Sequence, residues 1–252
     1  MAFIDMIFQG KGGVGKSYVA SLLAQYGLAK GYSVDCIDTD PVNASFAGYK
    51  ALHASVINIM DGDDVNPRNF DQIFDAIAAL PDDGTQMVID NGAATFLPLG
   101  SYMGKNTIPA LIHSETNHDL RLHSVITGGQ AMDDTLIGLK TLLKTFPDLP
   151  IVVWINPFFG DLVKNGQPFS EFKIYKENKH RLEAIVSIPP ITDARTFGED
   201  LKDVLNNRLT FDEFAASDRP LMQRHRMKRY WEEAFSAMDN ACLLESFHGQ
   251  PE

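Results

Sequence analysis

Short solid apolar runs alternate with longer apolar stripes along this chain. Ala2–Phe8 is a nearly unbroken apolar run ended by a glycine-rich stretch, which predicts a buried strand. Val19–Lys30 follows, with Leu22, Leu23, Tyr26 and the Leu28-Ala29 pair at helical spacing, and Gly31 supplies a helix stop. The same alternation then recurs. Tyr32–Asp38 reads as a strand and Ser55–Met60 as a short one, with a turn at Asp61–Asp64. Phe70, Ile73, Phe74, Ile77 and Leu80 form a helical stripe ended by Pro81, and Gln86–Asp90 is the next apolar strand. Residues 95–118 hold a loop and a helix. Leu120–Thr127 reads as a strand, Met132–Phe146 as a helix, Ile151–Ile155 as a buried strand and Glu183–Ile188 as another. Leu201, Val204 and Leu205 suggest a helix, and Thr210-x-x-Glu213 a capping box that opens one more. Strands and helices in this alternation predict an α/β fold: one doubly wound domain over 1–252, its sheet mostly parallel and covered by helices on both faces. Ligands in such sheets sit beyond the carboxyl ends of the strands.

The stretch between the first strand and the first helix is G-K-G-G-V-G-K-S, Gly10 to Ser17, which fits the P-loop pattern G-x-x-x-x-G-K-[ST]. Gly10, Gly12, Gly13 and Gly15 let main-chain N–H groups turn inward into an anion-binding concavity. Lys16 would reach terminal phosphates, the Ser17 hydroxyl would ligate Mg²⁺, and the helix behind them turns its positive end to the same charge. Two further strands end in carboxylates. Tyr32–Asp38 runs into Asp38-Thr39-Asp40-Pro41, where the carboxylates suit a Mg²⁺ water shell or the orientation of an attacking water. Gln86–Asp90 ends in Asp90, placed to order the Mg²⁺ shell, and Gly92 follows as a candidate γ-phosphate sensor. Asn156, directly after a strand, is a candidate base contact. Asn178-Lys179-His180-Arg181 lacks the aspartate of a guanine-reading [NT]-K-x-D motif, so ATP is expected over GTP.

Lys11, directly after the first loop glycine, is not required by an ordinary P-loop. K-G-G-V-G-K-S resembles the deviant Walker A motif of the ParA/MinD family of P-loop ATPases, and C-I-D-T-D-P-V-N-A resembles that family's switch I. The resemblance implies that ATP is held by Gly10, Lys11, Gly12, Gly13, Val14, Gly15, Lys16, Ser17 and Tyr18, with Asn156 approaching the adenine and the loop of Pro189 packing on the base. It implies Mg²⁺ at Ser17, Asp38 and Asp90, with Asp38 serving either the ion or the loop. It also implies catalysis by Lys11, Lys16 and Asp40: Asp40 positions the water, and Lys11 crosses to the nucleotide of a second subunit in an ATP-sandwich homodimer. The family often has Gln after the proline and one residue more before the asparagine. Val42 and the shorter spacing here bear on Asn43 more than on Asp40.

Further stretches (R-N-F-D, V-I-D-N-G-A, P-A-L, V-I-T-G-G-Q-A, V-V-W-I-N-P and L-T-F-D) extend the resemblance along the chain to ParA-like ATPases encoded with plasmid conjugation systems. That implies slow hydrolysis, an accessory role in conjugative transfer, and a protein client in a conjugation or type IV secretion system. A P-loop metabolic phosphotransferase and a nucleotide-binding scaffold that does not depend on hydrolysis remain the alternatives. Cys36 lies within a strand and Cys242 near the end, which disfavours an iron protein of the nitrogenase type.

The net charge of −11 excludes a surface coated in basic groups, but leaves room for a local patch. Arg219–Arg229 holds five basic residues and no acid. Two readings stay open: an amphipathic helix with Leu221, Met222 and Met227 packed and the arginines solvated, or a surface for DNA or an acidic partner, as the resemblance implies. The absence of a secretory signal, of an apolar run of about 18 to 20 residues and of a cysteine framework predicts a cytoplasmic protein. Ser246–Glu252 is short and polar, so no stable membrane anchor of the MinD kind is expected.

Overall fold

The structure, a computed structural model, describes residues 1–40 and 43–244; the Pro41-Val42 step of the switch and the polar tail Ser246–Glu252 lie outside the described residues. Its centre is a sheet of seven strands: β1 (Phe3–Ile7), β2 (Val34–Asp38), β3 (Ser55–Val56), β4 (Gln86–Asp90), β5 (Asp119–Thr127), β6 (Ile151–Asn156) and β7 (Leu182–Ser187). Their spatial order is β7-β6-β5-β1-β4-β2-β3, and every neighbouring pair is parallel. Nine helices accompany them among the described residues: α1 (Lys16–Ala29), α2 (Asp71–Ala78), α3 (Phe96–Lys105), α4 (Ile108–Thr116), α5 (Met132–Thr145), α6 (Lys173–Asn178), α7 (Phe197–Asn207), α8 (Phe211–Ala216) and α9 (Leu221–Asn240).

The period of two along each strand divides the core into two layers. Ile4, Met6, Ile89, Leu122 and Val153 face the layer of α2–α5, where Ile73, Leu99, Met103 and Leu139 meet them. Ile7, Val88, Val125, Val152 and Trp154 face the opposite layer, built from α1 and the C-terminal helices through Leu23, Val204, Met227 and Tyr230. Helix α1 is buried all round from Val19 to Gly27, because α9 covers the side that faces away from the sheet. Tyr18 Oη bonds Tyr230 Oη at 2.8 Å, and Tyr26 Oη donates to Asp239 at 2.6 Å.

A polar group set crosses this second layer. Asp5 Oδ1 accepts from Arg121 Nε at 2.9 Å and lies 2.8 Å from His123 Nε2, while Asp5 Oδ2 accepts from Gln86 at 2.6 Å. Trp154 Nε1 donates to His123 Nδ1 at 2.8 Å, which fixes the ring proton on Nε2. Arg121 Nη1 reaches Glu183 at 2.7 Å and the Leu243 carbonyl at 2.8 Å. Asp5, Arg121 and His123 are fully buried, so the charge is matched inside the fold rather than by water.

Three expectations change. The strand expected over Ser55–Met60 is only Ser55–Val56, and Met60–Asp61 pairs instead with Asp64–Val65 around a turn at Gly62. Residues 95–118 make two helices, separated where Thr107 takes a left-handed conformation. Leu221 and Met222, expected to pack, are 71% and 58% exposed. The buried stripe of α9 runs through Met227, Tyr230, Ala234 and Met238, and at helical spacing its extension passes through 223 and 220, missing both residues. The Thr210–Glu213 capping box is present with both of its bonds.

Candidate functional site

Register brings the carboxylates together. Asp38 at the end of β2 and Ile7 at the end of β1 are both level with Asp90 at the end of β4. The chain leaving β1 therefore enters its glycine loop at the edge where β2 and β4 present Asp38 and Asp90. Gly15 has φ of 97° and a Cβ there would stand 2.7 Å from Asn156 Nδ2, so conformation and space both require glycine. The first bond of α1 runs from Val19 N to Gly15 O. The N–H groups of Lys16, Ser17 and Tyr18 are thus the free donors of a helix terminus, directed into the loop. The Tyr18 phenol itself turns away to Tyr230, which leaves its main chain for the site.

Both P-loop lysines have contacts within the chain. Lys16 is 7% exposed and its Nζ donates to the Lys11 carbonyl at 3.1 Å. Burial pushes the Lys16 ammonium below its ordinary value, and the carboxylates of Asp90 and Asp40 act against that. Lys11 Nζ lies 2.7 Å from Asp134 in the first turn of α5, with both side chains about half exposed. The Lys11 N–H also points to Gln9 Oε1 at 3.4 Å. Gln9 is buried and its amide donates to the carbonyls of Val125 and Thr135 at 2.9 and 3.2 Å, pinning the loop entry to β5 and α5.

The switch segment is folded around Asp38. Its Oδ1 accepts from Asp40 N and its Oδ2 from Ala47 N, both at 2.9 Å. Burial raises the Asp38 carboxyl above its usual range, with these main-chain bonds opposing. Both oxygens thus bond the main chain of this loop, and each keeps a lone pair for a further partner. Asp40 Oδ1 accepts from Asn43 N at 3.0 Å, and a Cβ at Gly92 would stand 2.9 Å from the Asp40 carboxyl carbon. The loops that follow β2 and β4 are therefore in contact at Asp40 and Gly92. Thr39 ties them further: its hydroxyl donates to Asn91 Oδ1 at 3.0 Å, and its N–H to the Asp90 carbonyl at 2.9 Å.

Asp90 is 1% exposed and neither of its oxygens has a hydrogen-bond partner of good geometry among the described residues. Burial raises its carboxyl, the charges of Asp38 and Asp40 add to that, and the Ser17 hydroxyl and Lys16 oppose. Three carboxylates around one ammonium make a site short of positive charge. A divalent cation beside Ser17 and Asp90 would supply it, and these residues fit Mg²⁺, which keeps a shell of waters and phosphate oxygens rather than a protein cage. Among the described residues, no group of three or more His, Cys, Asp or Glu side chains is placed to hold a metal by itself.

Asn156 is buried against the loop: Nδ2 donates to the Val14 carbonyl at 3.0 Å and Oδ1 accepts from Phe158 N at 3.1 Å. It braces the P-loop and keeps one amide hydrogen for another acceptor. Pro189 follows β7 at the same carboxyl edge. Thr135 and Asp134 carry no motif and are brought to the site by tertiary contact; Gln9 leads directly into the glycine loop, and its bonds to β5 and α5 carry no sequence signal. The run Arg219–Arg229 is largely matched by acids: Arg219 pairs with Asp203 at 2.6 Å, Arg226 with Asp200 at 2.5 Å, and Lys228 and Arg229 stand 3.9 and 3.7 Å from Glu232 and Glu233. No helix among the described residues is long and apolar enough to cross a membrane.

Comparison with known proteins agrees with this geometry. Residues 5–216 match the CobQ/CobB/MinD/ParA nucleotide-binding domain. A curated relative, Protein TraL of Escherichia coli, is 46% identical over 97% of this chain and 100% of its own length. Among solved structures, a putative plasmid partition protein of Borrelia burgdorferi, bound to AMPPNP, is 19% identical over 95% of this chain and 99% of its own, with a TM-score of 0.50. A chain of a MinC:MinD cell division protein complex of Aquifex aeolicus is 12% identical over 92% of this chain and 95% of its own, with a TM-score of 0.49. The chain belongs to the CobQ/CobB/MinD/ParA family of nucleotide-binding domains and, within it, to the TraL proteins.

Proposed function

We propose that this protein is a Mg·ATP-dependent switch that dimerises face to face, hydrolyses ATP slowly and serves as an accessory ATPase in plasmid conjugative transfer. The observation that carries the reading is the meeting of Lys16, Asp38, Asp40 and Asp90 at one edge of the sheet, with both oxygens of the buried Asp90 open to an ion. The glycine loop and the first turn of α1 hold the phosphates. Lys16 and the N–H donors neutralise charge on them, and Asp40, held by the Asp38-organised loop, orients the attacking water. Ser17 and Asp90 would hold the shell of Mg²⁺, which would supply positive charge to the phosphates when bound. Asn156 and the loop of Pro189 face the base. Lys11 acts on the nucleotide of the second copy.

The resemblance to conjugation-linked ParA-like ATPases supports a protein client in a conjugation or type IV secretion system, met in the cytoplasm. The acids paired with Arg219–Arg229 weigh against DNA as the ligand of that helix.

The test is molar mass in solution with Mg·ATP, with Mg·ADP and without nucleotide, for the wild type, Lys11→Ala and Asp40→Ala. The wild type should dimerise only with ATP, Lys11→Ala should stay monomeric, and Asp40→Ala should accumulate as an ATP-bound dimer. A monomer throughout, with steady ATP turnover, would instead support a phosphotransferase. An Asp40→Ala chain that hydrolyses ATP normally would remove the assignment of switch I.

A further inference from the structure

Arg208 closes α7 in a conformation that suits a different residue. Its φ is 50°, its N–H bonds the Leu205 carbonyl at 3.3 Å, and the Leu209 N–H bonds the Val204 carbonyl at 3.1 Å. That is a Schellman ending, whose left-handed position favours glycine because a Cβ is strained there. The arginine is exposed, so burial does not offset the strain. Its side chain lies instead over Gly48, where an added Cβ would stand 1.9 Å from Arg208 Cδ and 2.5 Å from Nε. Gly48 belongs to the loop after β2. Its N–H bonds the Ser45 carbonyl at 3.3 Å, and the neighbouring Ala47 N–H is the donor to Asp38 Oδ2. Phe46 and Tyr49 in the same loop are buried. Burial raises the Tyr49 phenol above its ordinary value, with a Ser21 hydrogen bond and the Arg208 charge opposing and the Asp90 charge adding to it. The corner that carries Arg208 is itself fixed, since the Phe211 N–H donates to the buried Gln25 of α1 at 2.8 Å.

We infer that Arg208 is a positioning residue: its side chain clamps the turn at Gly48 and so holds the loop of Asp38 and Asp40 in place for hydrolysis. The inference rests on the role of Asp40 proposed above. The path is short. Arg208 presses on Gly48, Ala47 beside it bonds one oxygen of Asp38, and the other oxygen bonds Asp40 N. Because Gln25 joins the α7–α8 corner to α1, the clamp ties this loop to the helix whose first turn faces the phosphates. The glycine loop lies outside the path, so the clamp bears on turnover rather than on affinity. A strained arginine where glycine would be unstrained gives up stability to order a loop.

The experiment compares wild type with Arg208→Gly, Arg208→Lys and Gly48→Ala. Phosphate release across a range of Mg·ATP concentrations separates kcat from KM. A misplacement of about 1 Å costs on the order of 10²-fold, and a loop still held through Ala47 moves less, so Arg208→Gly should lower kcat about 3- to 10-fold with KM held. Arg208→Lys keeps the stem as far as Cδ and should restore most of the rate. Glycine also relieves the left-handed strain, so the same Arg208→Gly chain should melt about 2 to 4 °C higher. Gly48→Ala pushes the arginine aside. It should slow the wild type more than the Arg208→Gly chain, where only a 3.1 Å approach to the Ser45 carbonyl remains. A further readout needs no turnover: hydrogen exchange over 43–49 without nucleotide should quicken in Arg208→Gly.

An Arg208→Gly chain as fast as wild type overturns the inference, and so does unchanged exchange over 43–49. A fall in kcat together with a lower melting temperature makes Arg208 a support of the fold at large and overturns it as well. A wild type that does not hydrolyse ATP overturns the ATPase reading itself, and the inference falls with it even where exchange quickens.

Discussion

Replacing Gly92 with alanine tests the switch contact on which hydrolysis depends. The added Cβ would stand 2.9 Å from the Asp40 carboxyl carbon and 3.0 Å from both Asp40 Cα and Oδ1. Carbon atoms rest about 3.5 to 4.0 Å apart, so Asp40 must retreat by roughly 0.5 to 1 Å. One of the crowded atoms is main chain, and Asp40 N is bonded to Asp38, so rotating the side chain does not relieve the clash. A misplacement of about 1 Å costs on the order of 10²-fold in rate when geometry carries the catalysis. Gly92→Ala should thus lower kcat by about 10- to 100-fold. The glycine loop proposed to bind the phosphates is untouched, so nucleotide affinity should change far less than kcat. Phosphate release at saturating Mg·ATP gives kcat, and titration with a fluorescent ATP analogue gives affinity. A kcat within twofold of wild type, in a variant that binds nucleotide normally, would refute the placement of Asp40 as the water-positioning group.

Three other outcomes are expected. Lys16→Ala removes the ammonium that reaches the phosphates and should reduce ATP affinity by at least about 100-fold in the same titration, in line with the loss of a buried charged partner. Arg121→Met leaves the buried Asp5 with its His123 and Gln86 bonds but without the Arg121 counter-charge, and should destabilise the fold by about 3 to 5 kcal/mol in urea, whereas adding Asp5→Asn should recover part of the loss. Burial pushes the His123 imidazole below its ordinary value. The unfolded imidazole takes up its proton first as pH falls, so stability is full above about 6.5 and declines below it by at most about 1.4 kcal/mol per pH unit. Urea midpoints from pH 7.5 to 5.0 should show that decline in the wild type and a shallower one in His123→Gln; equal slopes would contradict it.

The residues legible in the sequence are those whose role is written in local spacing. The glycine loop, the strands that end in Asp38 and Asp90, and the stripe from Phe70 to Leu80 each depend on neighbours a few positions away, and each stands where the pattern puts it. Asp134 and Gln9 are different. Their partners lie more than a hundred residues away along the chain, and a buried glutamine and a helix-first-turn aspartate look like ordinary polar positions. Helix α1 shows a second limit. Leu22, Leu23 and Tyr26 are buried as the stripe predicts, but Leu28 and Ala29 are exposed, and Tyr18 on another side is covered by Tyr230 of α9, which returns from the far end of the chain. The basic run misleads for a third reason: Asp200 and Asp203, which match two of its arginines, sit on a separate helix, so composition within the run shows charge without its counterweight.

The buried set around Asp5 joins five adjacent strands, from Gln86 on β4 to Glu183 on β7, and fastens the Leu243 carbonyl to them. A sheet cross-braced in this way behaves as a plate. Its strands cannot shear past one another without leaving a charge bare. In the proposed switch, movement between ATP and ADP states would then lie in the loops along the carboxyl edge, and a client that distinguishes the two would read the protein from that rim.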